Sequence, residues 1–259
     1  MFIFFFEQNT KISGWKEYPF SKTIGVIFGK PLKPYFYQMN SETPIRTKDG
    51  SHTLFSEAAG EHYHSVFGAV QESEHIFIRA GLEAKQAFPE VLQILEIGFG
   101  TGLNALLSLK WAEKHRQQVQ YLGIEAFPLA ASVLKQLNYA EILQMDQNVF
   151  LQMHRNTTQQ QITLHFSLQV LHDRLRDFLP EKDRFHVVFF DAFSPDSQPE
   201  MWTEEGFVKL HDVLIPGGTL VTYSCKGIVK RALKAAGFSL EKLPGPPGKR
   251  EFLRATAVK

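Results

Sequence analysis

Val91-Leu92-Gln93-Ile94-Leu95-Glu96-Ile97-Gly98-Phe99-Gly100-Thr101-Gly102 decides the fold. A short apolar run ends in three alternating glycines, and a helical period of apolar residues follows across 103–115. Seven apolar-rich residues bounded by glycine read as a buried strand, and the change of period marks a helix. Glycine lets the backbone turn sharply and lets a ligand approach without meeting a Cβ. Strand, glycine turn and helix in that order put a ligand beyond the carboxyl end of the strand, against the helix N-terminus.

Downstream the pattern repeats. Gln120–Glu125 reads as a second strand, 128–137 as a helix, Ile162–Gln169 as a third strand and 173–179 as a short helix. His186–Asp191 is an apolar strand ending in an acid, and Trp202–Leu214 is helical. Gly217-Gly218 reads as a turn, Thr219–Ser224 as a fifth strand and Gly227–Ala236 as a helix stopped by Gly237. Strands near 239–243 and 251–258 close the chain. Alternating strands and helices predict an α/β, mostly parallel, doubly wound sheet covered on both faces.

Upstream, 45–90 hold a strand-like Thr53-Leu54-Phe55, a helix near 66–86, and four histidines: His52, His62, His64 and His75. His62 and His64 share a face if the segment is a strand. With no cysteine nearby and no third ligand at zinc-like spacing, polar and surface roles are expected and no metal. Residues 1–44 show no sustained period. They are expected to be a small N-terminal extension, either a short hairpin or, if Met39 is the true start, an over-extended reading frame. Residues 45–259 are then the catalytic domain.

The 259 residues are 44% apolar and 21% charged, ordinary for a globular chain. One cysteine, Cys225, excludes an internal disulfide and fits a reducing compartment. No apolar run nears the roughly 20 residues of a membrane span, so the expected location is cytoplasmic. Charge is uneven. From Lys226 to Lys259 nine basic residues stand against two acids, a local +7 that leaves −6 for the rest of a chain of net +1. Such an end suits a polyanion or a solvated face.

The acid closing the second strand, Glu125, can accept hydrogen bonds from both ribose hydroxyls of a nucleoside cofactor. Nicotinamide sites favour G-x-G-x-x-G/A, but the position that the third glycine would take is Leu103. The form here, Glu96-x-Gly98-x-Gly100-x-Gly102, is typical of S-adenosyl-L-methionine enzymes. Glu96 is placed like the acid that orients that cofactor's amino-acid end. Asp173 follows the third strand, either facing the adenine amine or capping a helix. Asp191-Ala192-Phe193-Ser194-Pro195 follows the fourth strand, beside the reactive methyl in this architecture. An ammonium cannot attack until it loses a proton, and a carboxylate at that point can orient the amine and favour the loss.

The run Phe190–Pro195 with Gln198-Pro199-Glu200-Met201-Trp202-Thr203 resembles the methyltransferase domain of the tRNA wobble-uridine modifying enzymes, the bifunctional MnmC type and its stand-alone MnmD-like relatives. Ile215-Pro216-Gly217-Gly218-Thr219-Leu220, Val229–Leu233, Ala236-Gly237-Phe238 and Gly248-Lys249-Arg250-Glu251 continue the resemblance. Upstream, so do Glu74–Ile78, Gly98–Asn104 and Glu125–Leu129. It runs from about Thr43 to the end.

The resemblance implies a Rossmann-like class I methyltransferase that converts 5-aminomethyl-(2-thio)uridine at the tRNA wobble position to its 5-methylaminomethyl form. It implies Asp191 at the methyl and the amine, and Phe193 walling the uridine pocket. It places Gly98, Gly100, Gly102, Glu125 and Asp173 on the cofactor, and Lys249 and Arg250 at RNA phosphates. The partner expected is the tRNA anticodon loop. The basic tail then becomes an RNA-contacting face through Lys226, Lys230, Arg231, Lys234, Lys249, Arg250 and Arg254. The family's flavin oxidase domain follows the methyltransferase, so no flavin is expected here. The family often has Gly-Asp where this chain has His172-Asp173, which weakens the adenine assignment. Two rivals are an alkyl transferase of polyamine-type amines and a non-catalytic RNA-binding module. The former typically carries a Gly-Gly-Gly-Asp-Gly loop, absent here.

Overall fold

Beginning at Thr43, the computed structural model describes residues 43–84, 88–155, 157–178 and 181–259. The expected N-terminal extension, with its hairpin and alternative start at Met39, lies outside these residues apart from Thr43 and Pro44. Four two-residue strands open the described chain: β1 Ile45–Arg46 pairs antiparallel with β2 His52–Thr53, and β3 Phe55–Ser56 with β4 Glu61–His62. Helix α1 (Ala69–Ser73) continues as wider π-type turns over Glu74–Glu83. A Cβ at Gly81 would lie 2.9 Å from Phe189, so the missing side chain lets this helix press on the sheet.

The sheet has eight strands: β5 (Val91–Ile97), β6 (Gln118–Ile124), β7 (Gln160–Thr163), β8 (Phe166–Leu171), β9 (Phe185–Phe190), β10 (Leu214–Thr222), β11 (Phe238–Pro244) and β12 (Glu251–Ala257). Their order is β11-β12-β10-β9-β5-β6-β8-β7. The five strands from β10 to β8 run parallel, while β12, β11 and β7 are antiparallel additions at the edges. The expected mostly parallel, doubly wound sheet is therefore present. Apolar side chains cover both faces. Leu92, Ile94, Leu106 and Phe77 belong to one core, and Leu95, Ile97, Phe207 and Leu233 to the other. Helix α2 (Leu103–His115) lies with the first; α6 (Glu204–Val213) and α7 (Gly227–Ala235) lie with the second.

Chain order reverses at β5, with β6 and β8 to one side and β9 and β10 to the other. Open α/β sheets bind ligands at that switch point. Register sharpens it. Ile97 pairs with Ile124 on β6 and with Phe190 on β9. Gly98, Glu125 and Asp191 therefore leave the sheet in one rank.

Several expected elements differ. The third strand, expected over Ile162–Gln169, is the hairpin β7–β8. Alternating apolar residues continue through its turn, but Leu164 is 76% exposed, and the Glu113 carboxylate pins the turn by accepting from Thr163 Oγ1 and from the His165 backbone N–H. The helix expected at 173–179 is only a turn among the described residues, closed by the Asp177 and Phe178 N–H groups on the Arg174 carbonyl. The helix expected at 128–137 is α3 (Ala131–Leu134) alone. It is followed by α4 (Tyr139–Leu143) and α5 (Gln147–Met153), short helices too brief to show a period. Gly217-Gly218 lies inside β10, where the register against β9 shifts.

Candidate active site

The glycine turn is stitched to both neighbouring strands. Gly98 N–H donates to Ile124 O, and Asp191 N–H donates to Ile97 O. Gly98 has φ +86°, and a Cβ there would lie 2.6 Å from the Asp191 carbonyl oxygen. No other residue fits so close to the β9 backbone. Gly102 has φ +73°, and a Cβ would lie 2.7 Å from His154 Nε2. Glu125 fastens the turn from the other side. Its Oε2 accepts from Gly100 N–H at 2.8 Å and its Oε1 from Phe127 N–H at 2.8 Å. Each oxygen keeps a second lone pair for a ligand hydroxyl. Burial raises the Glu125 carboxyl above the usual range, against the pull of those two N–H groups.

Beneath the turn lies a shared-donor network. Asn104, in the first turn of α2, gives one Nδ2 hydrogen to Glu96 Oε1 at 2.8 Å and the other to Asp191 Oδ2 at 2.8 Å. Tyr121 OH donates to Glu96 Oε2 at 2.8 Å. Glu96 is buried, and burial first, with Asp191 and Glu125 adding like charge, holds its carboxyl well above the usual range. Each Glu96 oxygen thus accepts one hydrogen bond from within the protein, and Asn104 links it to Asp191. The Asn104 Oδ1 is buried and has no partner among the described residues. An orphaned acceptor at this point suits an ammonium donor.

Asp191 is half-buried. Burial and then the charge of Glu72 push its carboxyl up to about 7, against Asn104 and Lys249, which pull it down. The loop it opens is latched from outside. Glu61 on β4 accepts from Ser194 N–H at 3.0 Å, from Ser194 Oγ and from Ser197 Oγ at 2.6 Å. Burial would raise this carboxyl, but those donors outweigh it and hold it below the usual range. Trp202 Nε1 donates to Phe193 O at 2.8 Å. The Phe193 ring meets the edge of Tyr63, 5.0 Å between centroids, and Tyr63 lies over Gly100. An aromatic wall so joins the glycine turn to the Asp191 loop.

The other expected residues are more dispersed. Asp173 accepts from Arg174 N–H at 2.8 Å and caps no described helix. Lys249 turns inward, 3.0 Å from Glu72, whereas Arg250 is exposed. The four histidines go separate ways. His52 meets Gln136 O, His75 meets Pro244 O, and His62 abuts Phe55. His64 is buried on Thr101 Oγ1 at 2.7 Å, and burial depresses it to about 4, which keeps it neutral. Asn104, Glu61, Tyr63, Glu72 and Tyr223 reach the site without a sequence signal that assigned them a role.

The match of a protein-family sequence model agrees with this geometry. A family described as S-adenosyl-L-methionine-dependent methyltransferase matches residues 137–258. Fold, glycine turn and match together define a Rossmann-like methyltransferase that uses S-adenosyl-L-methionine. The tRNA 5-methylaminomethyl-2-thiouridine biosynthesis bifunctional protein MnmC of Aromatoleum aromaticum is 34% identical over 227 residues, 80% of this chain and 34% of that protein. MnmC of Chromohalobacter salexigens is 30% identical over 240 residues, 86% of this chain and 34% of that one. The chain thus spans about a third of the length of these curated relatives. The crystal structure of MnmC2 from Aquifex aeolicus superposes with a TM-score of 0.66 at 29% identity, covering 83% of this chain and 70% of that one. The chain is thus similar to these MnmC proteins over about a third of their length.

Proposed function

We propose that this chain methylates the amine nitrogen of 5-aminomethyl-(2-thio)uridine at the wobble position of tRNA. One observation carries the reading: a carboxylate poised near neutrality, Asp191, leaves β9 directly against the glycine turn. The names of the MnmC relatives point to the same uridine.

The residues present fit S-adenosyl-L-methionine. Gly98, Gly100 and Gly102 leave backbone room, Glu125 has free lone pairs for ribose hydroxyls, and the orphaned Asn104 Oδ1 matches the ammonium of the amino-acid end. Asp173 is assigned to the adenine amine. When bound, the cofactor supplies a methyl on sulfonium sulfur, ready for a single displacement.

The protein's part is orientation and proton removal. Asn104 holds Asp191 Oδ2, which leaves Oδ1 to accept a hydrogen bond from the amine and then its proton. A carboxyl titrating about 7 matches that task better than one near 4. Phe193 and Tyr63 exclude water and offer faces to a pyrimidine. Alignment of nitrogen, methyl and sulfur supplies much of the remaining rate. The wobble base enters from an exposed anticodon loop, where extrusion costs little. Exposed Arg250 holds phosphate, with Lys249 near the same mouth.

Incubation with methyl-labelled S-adenosyl-L-methionine and either tRNA bearing 5-aminomethyluridine or spermidine tests the reading. Label is expected in the tRNA. Label in spermidine and none in tRNA overturns it, and label in neither reduces the chain to a binding module.

A further inference from the structure

One ion pair, between buried Glu72 and half-buried Lys249, is joined to the Asp191 loop through Tyr223 and has no part in the steps above. Glu72, on α1, is buried. Its Oε2 accepts from Ser65 N–H at 2.8 Å, and its Oε1 lies 3.0 Å from Lys249 Nζ. That ammonium also sits 4.1 Å from the centre of the Tyr223 ring, just past the end of β10. Tyr223 OH donates to Ala192 O at 3.0 Å, the carbonyl next to Asp191. The turn that carries Lys249 is itself fixed, with Gly245 N–H on Arg250 O and Lys249 N–H on Pro246 O. At Gly248, φ +87°, a Cβ would lie 2.4 Å from Phe67. Three elements distant in sequence converge to hold one ammonium and one carboxylate. A lysine held on two sides is a poor hook for a mobile phosphate.

We propose that Glu72 and Lys249 are positioning residues of the transfer site, a fixed charge pair beside Asp191 that orients an incoming ammonium and balances the carboxylate that accepts its proton. This inference rests on the amine-methylation reading. The charged groups that shift Asp191 are Glu72 from α1 and Lys249 from the 245–250 turn, while the Asp191 charge in turn raises Glu96 from β5, Tyr121 from β6 and Tyr223 after β10. Tyr121 and Tyr223 stay neutral, since burial lifts both hydroxyls above their ordinary value. Glu72 makes Asp191 hold its proton more tightly, and Lys249 makes it release the proton more readily. The two partners therefore have effects of opposite sign, which a scaffolding role would not produce.

The test uses the full chain labelled with 13C-carboxyl aspartate, the Asp191 signal being identified by its loss in Asp191→Asn. Lys249→Met is expected to raise the Asp191 titration midpoint, and Glu72→Gln to lower it, each by about half a pH unit or more. Lys249→Arg is expected to restore the wild-type midpoint. On tRNA, both charge-removing variants are expected to lower kcat at neutral pH by roughly tenfold, with KM and its salt slope little changed. Midpoints that stay put, or that move in the same direction, overturn the inference. So does a Lys249→Met enzyme with normal kcat and a shallower salt slope, which would make Lys249 a phosphate contact. If neither charge-removing variant folds, Lys249→Arg and Glu72→Asp decide it: both retain charge, and a midpoint shift of a full unit in either overturns the inference. The titration needs no substrate. Wild-type enzyme inactive on tRNA would therefore sink the functional reading by itself, while unmoved midpoints in an active enzyme would sink only the role of the pair.

Discussion

Asp191 carries the most chemistry on the fewest atoms. Asp191→Asn leaves an oxygen to accept from Asn104 and removes the proposed base. The single-turnover methylation rate is expected to fall roughly 10²–10⁴-fold with cofactor affinity preserved; a wild-type rate in that variant refutes the mechanism. In the wild type the rate is expected to rise with pH through about 7, where Asp191 becomes ionised. Stability should run the other way. The folded carboxyl lies above its ordinary 3.8, so its contribution is full below that value and is lost as pH rises through about 7. Thermal melts should show Asp191→Asn gaining on the wild type by on the order of 5 °C between acidic and alkaline buffer. A constant difference would mean that the carboxyl titrates normally. Asn104→Ala removes the donor shared by two buried carboxyls, and about 1–3 kcal/mol of stability should go with it, read by denaturant unfolding. Loss of cofactor binding in the same variant would accord with its orphaned oxygen.

Elements set how far those residues can drift. The glycine turn is rigid because its backbone is bonded to β6 and β9 and because His154 fills the space beside Gly102. Gly102→Ala combines a left-handed φ with that contact, and a loss of roughly 1–3 kcal/mol is expected, together with weaker cofactor binding by calorimetry. The β3–β4 hairpin acts on the opposite lip through Glu61, which grips Ser194 and Ser197. Glu61→Gln should slow turnover while cofactor affinity holds, since the latch touches the Asp191 loop and not the glycine turn. Equal loss of both would mean that the hairpin supports the whole site. At this scale the sequence was legible where the period was long. Helix α2 covers the residues its apolar spacing predicts. It was not legible at 162–171 or 173–179. In the first of these an apolar alternation ran straight through a turn held by Glu113, a residue about 50 positions away.

Over the whole molecule, charge is sorted by pairing. Of the nine basic residues after Cys225, Lys226, Lys242, Lys249, Arg254 and Lys259 have carboxylate partners. Lys230, Arg231, Lys234 and Arg250 have no ion pair among the described residues, and the first three lie on α7. On the proposed function, the cations left for RNA phosphates are those of α7 and Arg250. Replacement of Lys230, Arg231 and Lys234 by Ala should weaken tRNA binding and flatten its dependence on salt, by about 0.7–0.9 in log–log slope for each phosphate left unneutralised. An unchanged slope would remove α7 from the RNA face.

The sequence by itself determined the layered sheet, the glycine turn and the two strand-end acids Glu125 and Asp191. Those features are written in short-range patterns of apolar period and turn residues, which the backbone obeys locally. Tertiary structure alone decided that Glu96 serves Asn104 and Tyr121, that Lys249 faces inward to Glu72, and that Glu61 and Tyr63 close the mouth. Each of these depends on where strands distant in sequence end relative to one another. Desolvation at that meeting point, and no property of the residues taken singly, lifts the Asp191 carboxyl toward neutrality.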